Sequence, residues 1–181
     1  MKAILGVSRP WFLGLMGLLL VCGTAVSVFA DSPARVSLVQ GEDGVIPQTV
    51  AAISGATRQI DAFVYKFDEP SVLDALRKAA RRGVRIRIIA NRDAAKRKGG
   101  LMRKASRTGS EVRVLGDKDS KLHAKFTIVD DELVLTGSFN WTKSAARDNV
   151  ELVVVHRRPE DVRGFVESFD DFWDRAKPVK D

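Results

Sequence analysis

The segment 123–140, H-A-K-F-T-I-V-D-D-E-L-V-L-T-G-S-F-N, constrains this chain more than any other. Side chains on a strand repeat every two residues, so His123, Lys125 and Thr127 are expected on one strand face while Ala124, Phe126 and Ile128 point towards a core. Asp130 and Asp131 read as a turn, and Leu133, Val134 and Leu135 as the returning strand. Gly137 ends that strand and frees the backbone to bring Ser138 and Asn140 back towards the end that carries His123. Such a hairpin gathers a nucleophile, a fixed cation, a hydroxyl and an amide. That set suits the charged oxygens of a phosphate diester better than a neutral carbonyl.

The rest of the chain reads as strands and helices in alternation. Residues 34–40 form a first strand, and 46–56 a helix with Pro47 in its first turn, where a missing N–H costs nothing. Residues 59–67 alternate as a buried strand should, and Tyr65, Lys66 and Phe67 lie at its end. A helix opens at Glu69-Pro70-Ser71, buries a stripe of Val72, Leu73 and Leu76, and stops at Gly83. Strands follow at 84–90 and 111–115. After the hairpin, residues 141–146 read as one or two helical turns whose first N–H groups could face an anion beside Ser138. A strand at 149–156 and a helix at about 159–176 close the chain, with Val162, Phe165, Phe169, Phe172 and Trp173 towards the core and a loose tail after it. This order predicts an α/β sheet with helical cover.

Charge is concentrated. Residues 77–107 carry thirteen basic side chains and one acid, Asp93, in a chain whose formal net charge is +7. A basic run is ordinarily a solvated helix face, but one this dense gathers polyanions. Residues 96–100, K-R-K-G-G, read as a mobile loop at the sheet's carboxyl edge, and Arg92, Lys96, Arg97, Lys98, Arg103 and Lys104 are the candidate substrate-binding cations. Nucleic acid is the expected partner, with anionic lipid as the competitor, because such a patch detects phosphate density alone.

The first thirty residues read as a leader: Lys2 and Arg9 without an acid, then an uncharged run at 11–30 ending in small residues. This predicts a signal peptide at 1–30, a single catalytic domain at 31–181, and export to the periplasm or extracellular space. The alternative is an uncleaved anchor, with membrane association through residues 11–30. Cys22, the one cysteine, lies in that leader, so residues 31–181 can form no disulfide, thiol nucleophile or cysteine-rich zinc site. Asp117 and Asp119 read as a solvated loop, since two acids alone do not make an octahedral metal site. His156, beside two arginines, reads as a surface histidine. Glu151 is an acid inside an apolar run and needs a partner: it is either an edge-strand surface acid or an acceptor for an imidazole N–H.

His-x-Lys, four residues, Asp, then Gly-Ser-x-Asn resembles the phospholipase D superfamily, with His123, Lys125, Asp130, Gly137, Ser138 and Asn140 at matching spacing and Glu151 as the downstream acid. The single motif, short chain and leader are most similar to bacterial secreted endonucleases of that superfamily, and the mitochondrial cardiolipin-hydrolase and piRNA-nuclease branch is a near relative. The resemblance implies a mixed β-sheet flanked by helices on both faces. It implies catalytic roles for His123, Lys125, Ser138, Asn140 and Glu151, and structural ones for Asp130 and Gly137. It requires no metal and no cofactor. Since the family uses two motifs per site, one motif implies a homodimer in which one His123 attacks phosphorus and the other protonates the leaving oxygen. The expected function is a metal-independent phosphodiesterase: a non-specific endonuclease, alternatively a phospholipase acting on a phosphatidyl headgroup, or a non-catalytic nucleic-acid-binding module.

Overall fold

The computed structural model describes residues 33–41, 44–116 and 120–179. The leader and Asp117 and Asp119 therefore lie outside the described residues, as do the first two and last two residues of the expected 31–181 domain. In chain order the elements are β1 (Arg35–Val39), α1 (Val45–Gly55), β2 (Gln59–Val64), α2 (Pro70–Arg81), β3 (Arg85–Asn91), α3 (Arg92–Lys96), α4 (Leu101–Ser106), β4 (Ser110–Leu115), β5 (Phe126–Val129), β6 (Leu133–Gly137), α5 (Lys143–Arg147), β7 (Glu151–His156), α6 (Pro159–Arg175) and β8 (Lys177–Pro178). The strands form one sheet in the order β1-β7-β6-β5-β2-β3-β4-β8. β2, β3 and β4 run parallel, and the remaining pairs are antiparallel.

Two apolar layers sandwich this sheet. On one face Ile53 of α1, Leu76 of α2 and Met102 of α4 pack against Ile60, Ile86 and Ile88. On the other, α6 lays Val162, Phe169 and Trp173 over Phe63, Ile89, Ile128 and Val134. Helices thus cover both faces, as the motif resemblance implied. β2 and β3 sit centrally and are buried on both sides, which is why they are nearly continuous in apolar residues.

Asp61 interrupts β2 and is 1% exposed. Its partner across the parallel pair is Arg87, whose Nε and Nη2 donate to the two carboxylate oxygens at 2.7 and 2.6 Å. Arg87 also meets Asp170 of α6 at 2.9 Å and lies 4.8 Å from the Phe169 ring centre. Burial pushes the Asp61 carboxyl up, against the opposing pull of Arg87. One cation of the basic segment is thereby consumed by the fold. Arg82 is another, since it donates to the carbonyls of Ser54 and Ala56 at 3.0 and 3.1 Å.

Three details differ from expectation. The expected mobile loop at 96–100 is flanked closely by two short helices, α3 and α4, each with a buried alanine: Ala95 and Ala105. The tail is not loose where it is described. β8 pairs antiparallel with β4, setting Lys177 opposite Val114. And β5 begins at Phe126, so His123 and Lys125 belong to the segment before the strand rather than to its alternating face. Thr127 is buried along with Ile128 because β5 is an interior strand with both faces covered, whereas Ala124 lies in the segment before the strand and is exposed.

Candidate active site

The carboxyl ends of β2 and β3 and the start of β5 share one edge of the sheet, the usual place for ligands in open α/β sheets. The residues before β5 and after β6 meet there. His123 is exposed, and the Lys125 ammonium reaches back to its carbonyl at 2.8 Å and to its Nδ1 at 3.1 Å. An ammonium can only donate, so this contact leaves Nδ1 as acceptor and the ring proton on Nε2. The Tyr65 ring lies 4.6 Å from the imidazole, centre to centre, and 5.5 Å from the Lys125 ammonium. Lys66 approaches the same ring at 5.6 Å. Desolvation lowers the Lys125 pKa below that of an ordinary lysine; Glu151 opposes that shift and the like charge of Lys66 adds to it.

Gly137 delivers the other half. Its φ is +153°, and a Cβ there would sit 1.9 Å from the carbonyl oxygen of Leu152. Only glycine allows β6 to approach β7 so closely at the turn. Ser138 then binds β7 at three points: its N–H donates to the Leu152 carbonyl at 3.2 Å, its Oγ accepts from the Leu152 N–H at 3.1 Å, and the hydroxyl donates to Glu151. Glu151 is buried at 6% exposure, and its other oxygen accepts from the Asn149 amide at 2.8 Å. The buried Oδ1 of Asn140 has no hydrogen-bond partner. A buried polar atom without a partner is costly, and it marks a place where an external donor would be satisfied.

Two expectations for this edge need correction. Glu151 is buried rather than a surface acid, but it is held by Ser138 and Asn149 and makes no hydrogen bond to His123; its influence there reaches Lys125 electrostatically. The first N–H groups of α5 are already taken, with Lys143 N–H on Asp68 at 2.8 Å and Ala145 N–H on Thr142 Oγ1 at 3.3 Å, so that terminus offers no free anion cradle.

Asp130 lies at the opposite end of β5. Its φ of 56° and that of Asp131, 58°, form the tight turn into β6. One oxygen accepts from the N–H groups of Arg58 and Gln59 at 2.8 and 2.9 Å, the other from the N–H and hydroxyl of Thr57 at 2.9 and 2.8 Å. Burial pushes this carboxyl up, but the four hydrogen bonds outweigh it and hold it at about 2. Asp130 fixes the α1–β2 connection as well as its own turn.

The basic residues are split by the fold. Arg77, Lys78, Arg81, Arg82 and Arg85 gather where α2 ends and β3 begins, at the sheet edge away from His123. Arg97 lines a cleft of about 660 Å³ with Tyr65, Lys66 and Lys143. Arg92, Lys96 and Arg103 line a separate hollow of about 320 Å³. Lys98 and Lys104 line neither. Sequence reasoning passed over Tyr65 and Lys66 as site residues, though their place at the end of a buried parallel strand was a signal, and it passed over Asn149 entirely. His156 stands apart, 3.6 Å from Asp161 and against Phe165. Among the described residues no group of three His, Cys, Asp or Glu side chains could hold a metal ion.

Comparison with known proteins bears on this edge. Residues 49–173 match the family described as cardiolipin synthase, PLD-like domain. The chain is 36% identical over 125 residues to the mitochondrial cardiolipin hydrolase of Chlamydomonas reinhardtii, an alignment spanning 69% of this chain and 56% of that protein. It is 34% identical over 146 residues to the mitochondrial cardiolipin hydrolase of Canis lupus familiaris, spanning 81% and 57%. The chain thus spans little more than half the length of these curated relatives. Its fold superposes on Nuc from Salmonella typhimurium, a phospholipase D family member, with a TM-score of 0.71 and 27% identity, covering 82% of this chain and all of Nuc. These relatives overturn the expected export to the periplasm or extracellular space, since the curated ones are mitochondrial by name. Among the described residues no helix is long and apolar enough to cross a membrane.

Proposed function

The chain belongs to the phospholipase D superfamily, and from that membership we propose that it is a phosphodiesterase acting as an endonuclease through His123, at a site completed by a second copy of the chain. The observation that carries this reading is the exposed His123 imidazole held against the Lys125 ammonium, with no other histidine near it. Likeness to Nuc and the cations flanking His123 support nucleic acid as substrate.

On this reading the Nε2 of one His123 attacks phosphorus, a P–N bond forms, and the P–O bond to the leaving alcohol breaks. The departing oxygen takes its proton from the second copy's histidine, which acts as the doubly protonated imidazolium and returns to neutral imidazole on giving up its Nε2 proton. Water, deprotonated by that same second imidazole, then displaces phosphate from the first. The Lys125 ammonium offsets the charge building on the phosphoryl oxygens, and Asn140, which lines the same small cavity as Lys125, could share that role only through its amide N–H groups, since its unpartnered Oδ1 is an acceptor. Ser138 and Glu151 keep Lys125 and the turn in place rather than gripping the imidazole. The attacking copy must be neutral with Nε2 unprotonated while the second copy is fully protonated, so the two histidines must differ in protonation when substrate binds.

The need for a second copy has a matching surface. Val36 and Leu38 of β1 and Leu152 of β7 are exposed on the sheet face that α6 leaves open, with exposures of 65%, 72% and 38%. Val150, 62% exposed, adjoins them. Large apolar residues grouped in this way on an open sheet mark an interaction surface, and Leu152 is hydrogen-bonded directly to Ser138.

A second reading has its own observation. The curated relatives are named cardiolipin hydrolases, which supports a phosphatidyl headgroup as substrate. The deciding experiment sets the purified chain, with EDTA present, against a single-stranded oligonucleotide, plasmid DNA and cardiolipin vesicles, with His123→Ala alongside. Cleavage of nucleic acid by the wild type alone is the expected result. Cleavage of cardiolipin alone would move the assignment to the lipid, and loss of all activity restored by a divalent ion would remove the lysine-based mechanism.

A further inference from the structure

Glu151 is held by Ser138 and Asn149, so the orientation of the His123 imidazole must come from elsewhere. Among the described residues two groups touch that ring: the Lys125 ammonium, 3.1 Å from Nδ1, and the Tyr65 ring, 4.6 Å away between centres and tilted by 50°. The first contact exists in one proton arrangement only. An ammonium has no lone pair, so it can meet Nδ1 only while Nδ1 carries no proton. Both working forms of the two-histidine scheme carry a proton there. The attacking imidazole is neutral with Nε2 free, which puts its one proton on Nδ1, and the acid is an imidazolium protonated on both nitrogens. In neither form can Lys125 hold the ring. A ring contact has no such condition, because an aromatic face packs against a neutral ring and attracts a cationic one.

We propose that Tyr65 is the positioning residue of His123: its ring keeps the imidazole aimed at phosphorus in both working forms, while Lys125 leaves Nδ1 for the phosphoryl oxygens. The proposal rests on the two-histidine phosphodiesterase reading above and deepens it, and it holds for a nucleotide and a lipid diester alike. Lys125 also donates to the His123 carbonyl at 2.8 Å, so giving up Nδ1 does not cut it loose.

The fold makes Tyr65 a fixed platform. It follows β2 directly, and the next residues are tied down: the Lys66 carbonyl accepts from the Trp141 N–H at 3.1 Å, and the N–H groups of Asp68 and Glu69 donate to the Trp141 carbonyl at 2.9 and 3.1 Å. Trp141 is buried, so these bonds lock the strand end that carries Tyr65 to the segment that carries Asn140. The Tyr65 ring is half-buried and lines a small cavity with Lys125 and Asn140. Two ammonium groups already approach it, Lys125 at 5.5 Å and Lys66 at 5.6 Å. An electron-rich ring placed among cations suits an imidazolium as well, and it does so through its face rather than its hydroxyl.

The test compares Tyr65→Leu with Tyr65→Phe in the full chain, on a single-stranded oligonucleotide, cardiolipin vesicles and bis(p-nitrophenyl) phosphate, with His123→Ala as the blank. On whichever natural diester the unsubstituted chain cleaves, Tyr65→Leu should lower kcat roughly ten- to hundredfold, the scale of a misplaced reacting group, with KM within about twofold. Tyr65→Phe keeps the ring and should restore kcat to within about threefold of the unsubstituted chain. Nitrophenolate leaves without needing a proton, so Tyr65→Leu should slow bis(p-nitrophenyl) phosphate several-fold less than the natural diester. Tyr65→Met, also without a ring but better able to fill the gap, repeats the measurement if Tyr65→Leu melts early. Equal losses from Tyr65→Phe and Tyr65→Leu would assign the effect to the hydroxyl and overturn the proposal. A raised KM at unchanged kcat, the mark of a substrate contact, would overturn it too, as would equal losses on the natural and the nitrophenyl diester. If the unsubstituted chain cleaves and both ringless variants match its kcat, the role of Tyr65 fails while the phosphodiesterase reading stands. If the unsubstituted chain cleaves nothing faster than His123→Ala does, that reading fails and the proposal goes with it.

Discussion

The two ends of β5 carry parts of one sequence motif and hold them in opposite states. At the Asp130 end a carboxylate is saturated: four donors surround it and keep it ionised down to a pH of about 2. At the His123 end little is satisfied. The imidazole is exposed, the Asn140 Oδ1 is buried without a partner, and the Lys125 ammonium sits where desolvation works against its charge. A fold that completes its hydrogen bonding at one end of a strand and leaves it open at the other is storing interactions for a ligand at the open end. The motif is therefore half scaffold and half chemistry, and substitutions should separate the two.

The largest separation is expected from His123→Ala. Removing the nucleophile and the general acid together should lower turnover by more than about ten-thousandfold, beyond what acid–base assistance alone contributes. Thermal unfolding should be unchanged, because the ring is exposed and bonded only to Lys125. A residual rate within a hundredfold of the unsubstituted chain, measured in a single-turnover assay, would break the comparison at its chemical end.

Asp130→Ala should do the reverse. It strands the N–H groups of Thr57, Arg58 and Gln59 and should cost about 2 to 4 kcal/mol of stability, with little loss of turnover per folded molecule. The sign of its pH dependence follows from the lowered pKa. A carboxyl held at about 2 in the fold and at the ordinary 3.8 when unfolded stabilises fully above 3.8, and that contribution is lost as pH falls towards 2. Chemical denaturation across that window should show a steeper acid loss in the unsubstituted chain than in the variant. Coincident curves would show that Asp130 does not hold the α1–β2 connection.

The scaffold end was the more legible in the sequence. The β2–α2–β3 order, the turn at Asp130 and Asp131 and the α6 stripe all follow from local periodicity, and local periodicity is what a buried sheet imposes. The chemical end was legible as a set of residues but not as a set of bonds. That Glu151 binds Ser138 and Asn149 depends on how β6 meets β7 at Gly137, a contact between segments that alternation does not encode. The basic segment misled in a different way. As a linear charge run it looked like one patch, but the βαβ crossover sends Arg81 and Arg92 to opposite edges of the sheet, and Arg87 goes under α6 to neutralise Asp61. Lys177 joins Arg92 only through β8, which no hydrophobic pattern announces in two residues.

Leu38→Asp together with Leu152→Asp tests whether the open end needs a second chain. Both side chains are exposed in the single copy, so its folding should be nearly unaffected. If the open β1–β7 face is where the second copy docks, sedimentation should shift from dimer to monomer, and activity should fall with it while a mixture with His123→Ala chains recovers none. A fully active monomer would remove the two-histidine scheme and leave the exposed valines and leucines to another partner.

The smallest effect is expected from Lys66→Gln, and it probes the open end most finely. Lys66 and Lys125 approach the Tyr65 ring at 5.6 and 5.5 Å, and the like charge of Lys66 adds to the desolvation that already lowers the Lys125 pKa. Removing it should let Lys125 keep its proton to higher pH. The alkaline limb of the rate profile, if it reports loss of the Lys125 ammonium, should therefore move upward, while the rate at neutral pH changes only about two- to threefold because Lys66 is exposed and screened. Desolvation is the larger cause and remains, so the limb should still fall short of an ordinary lysine. A limb that stays fixed would mean that the titrating group is not Lys125, and that the ammonium against His123 is a positioning contact rather than the charge the phosphoryl group meets.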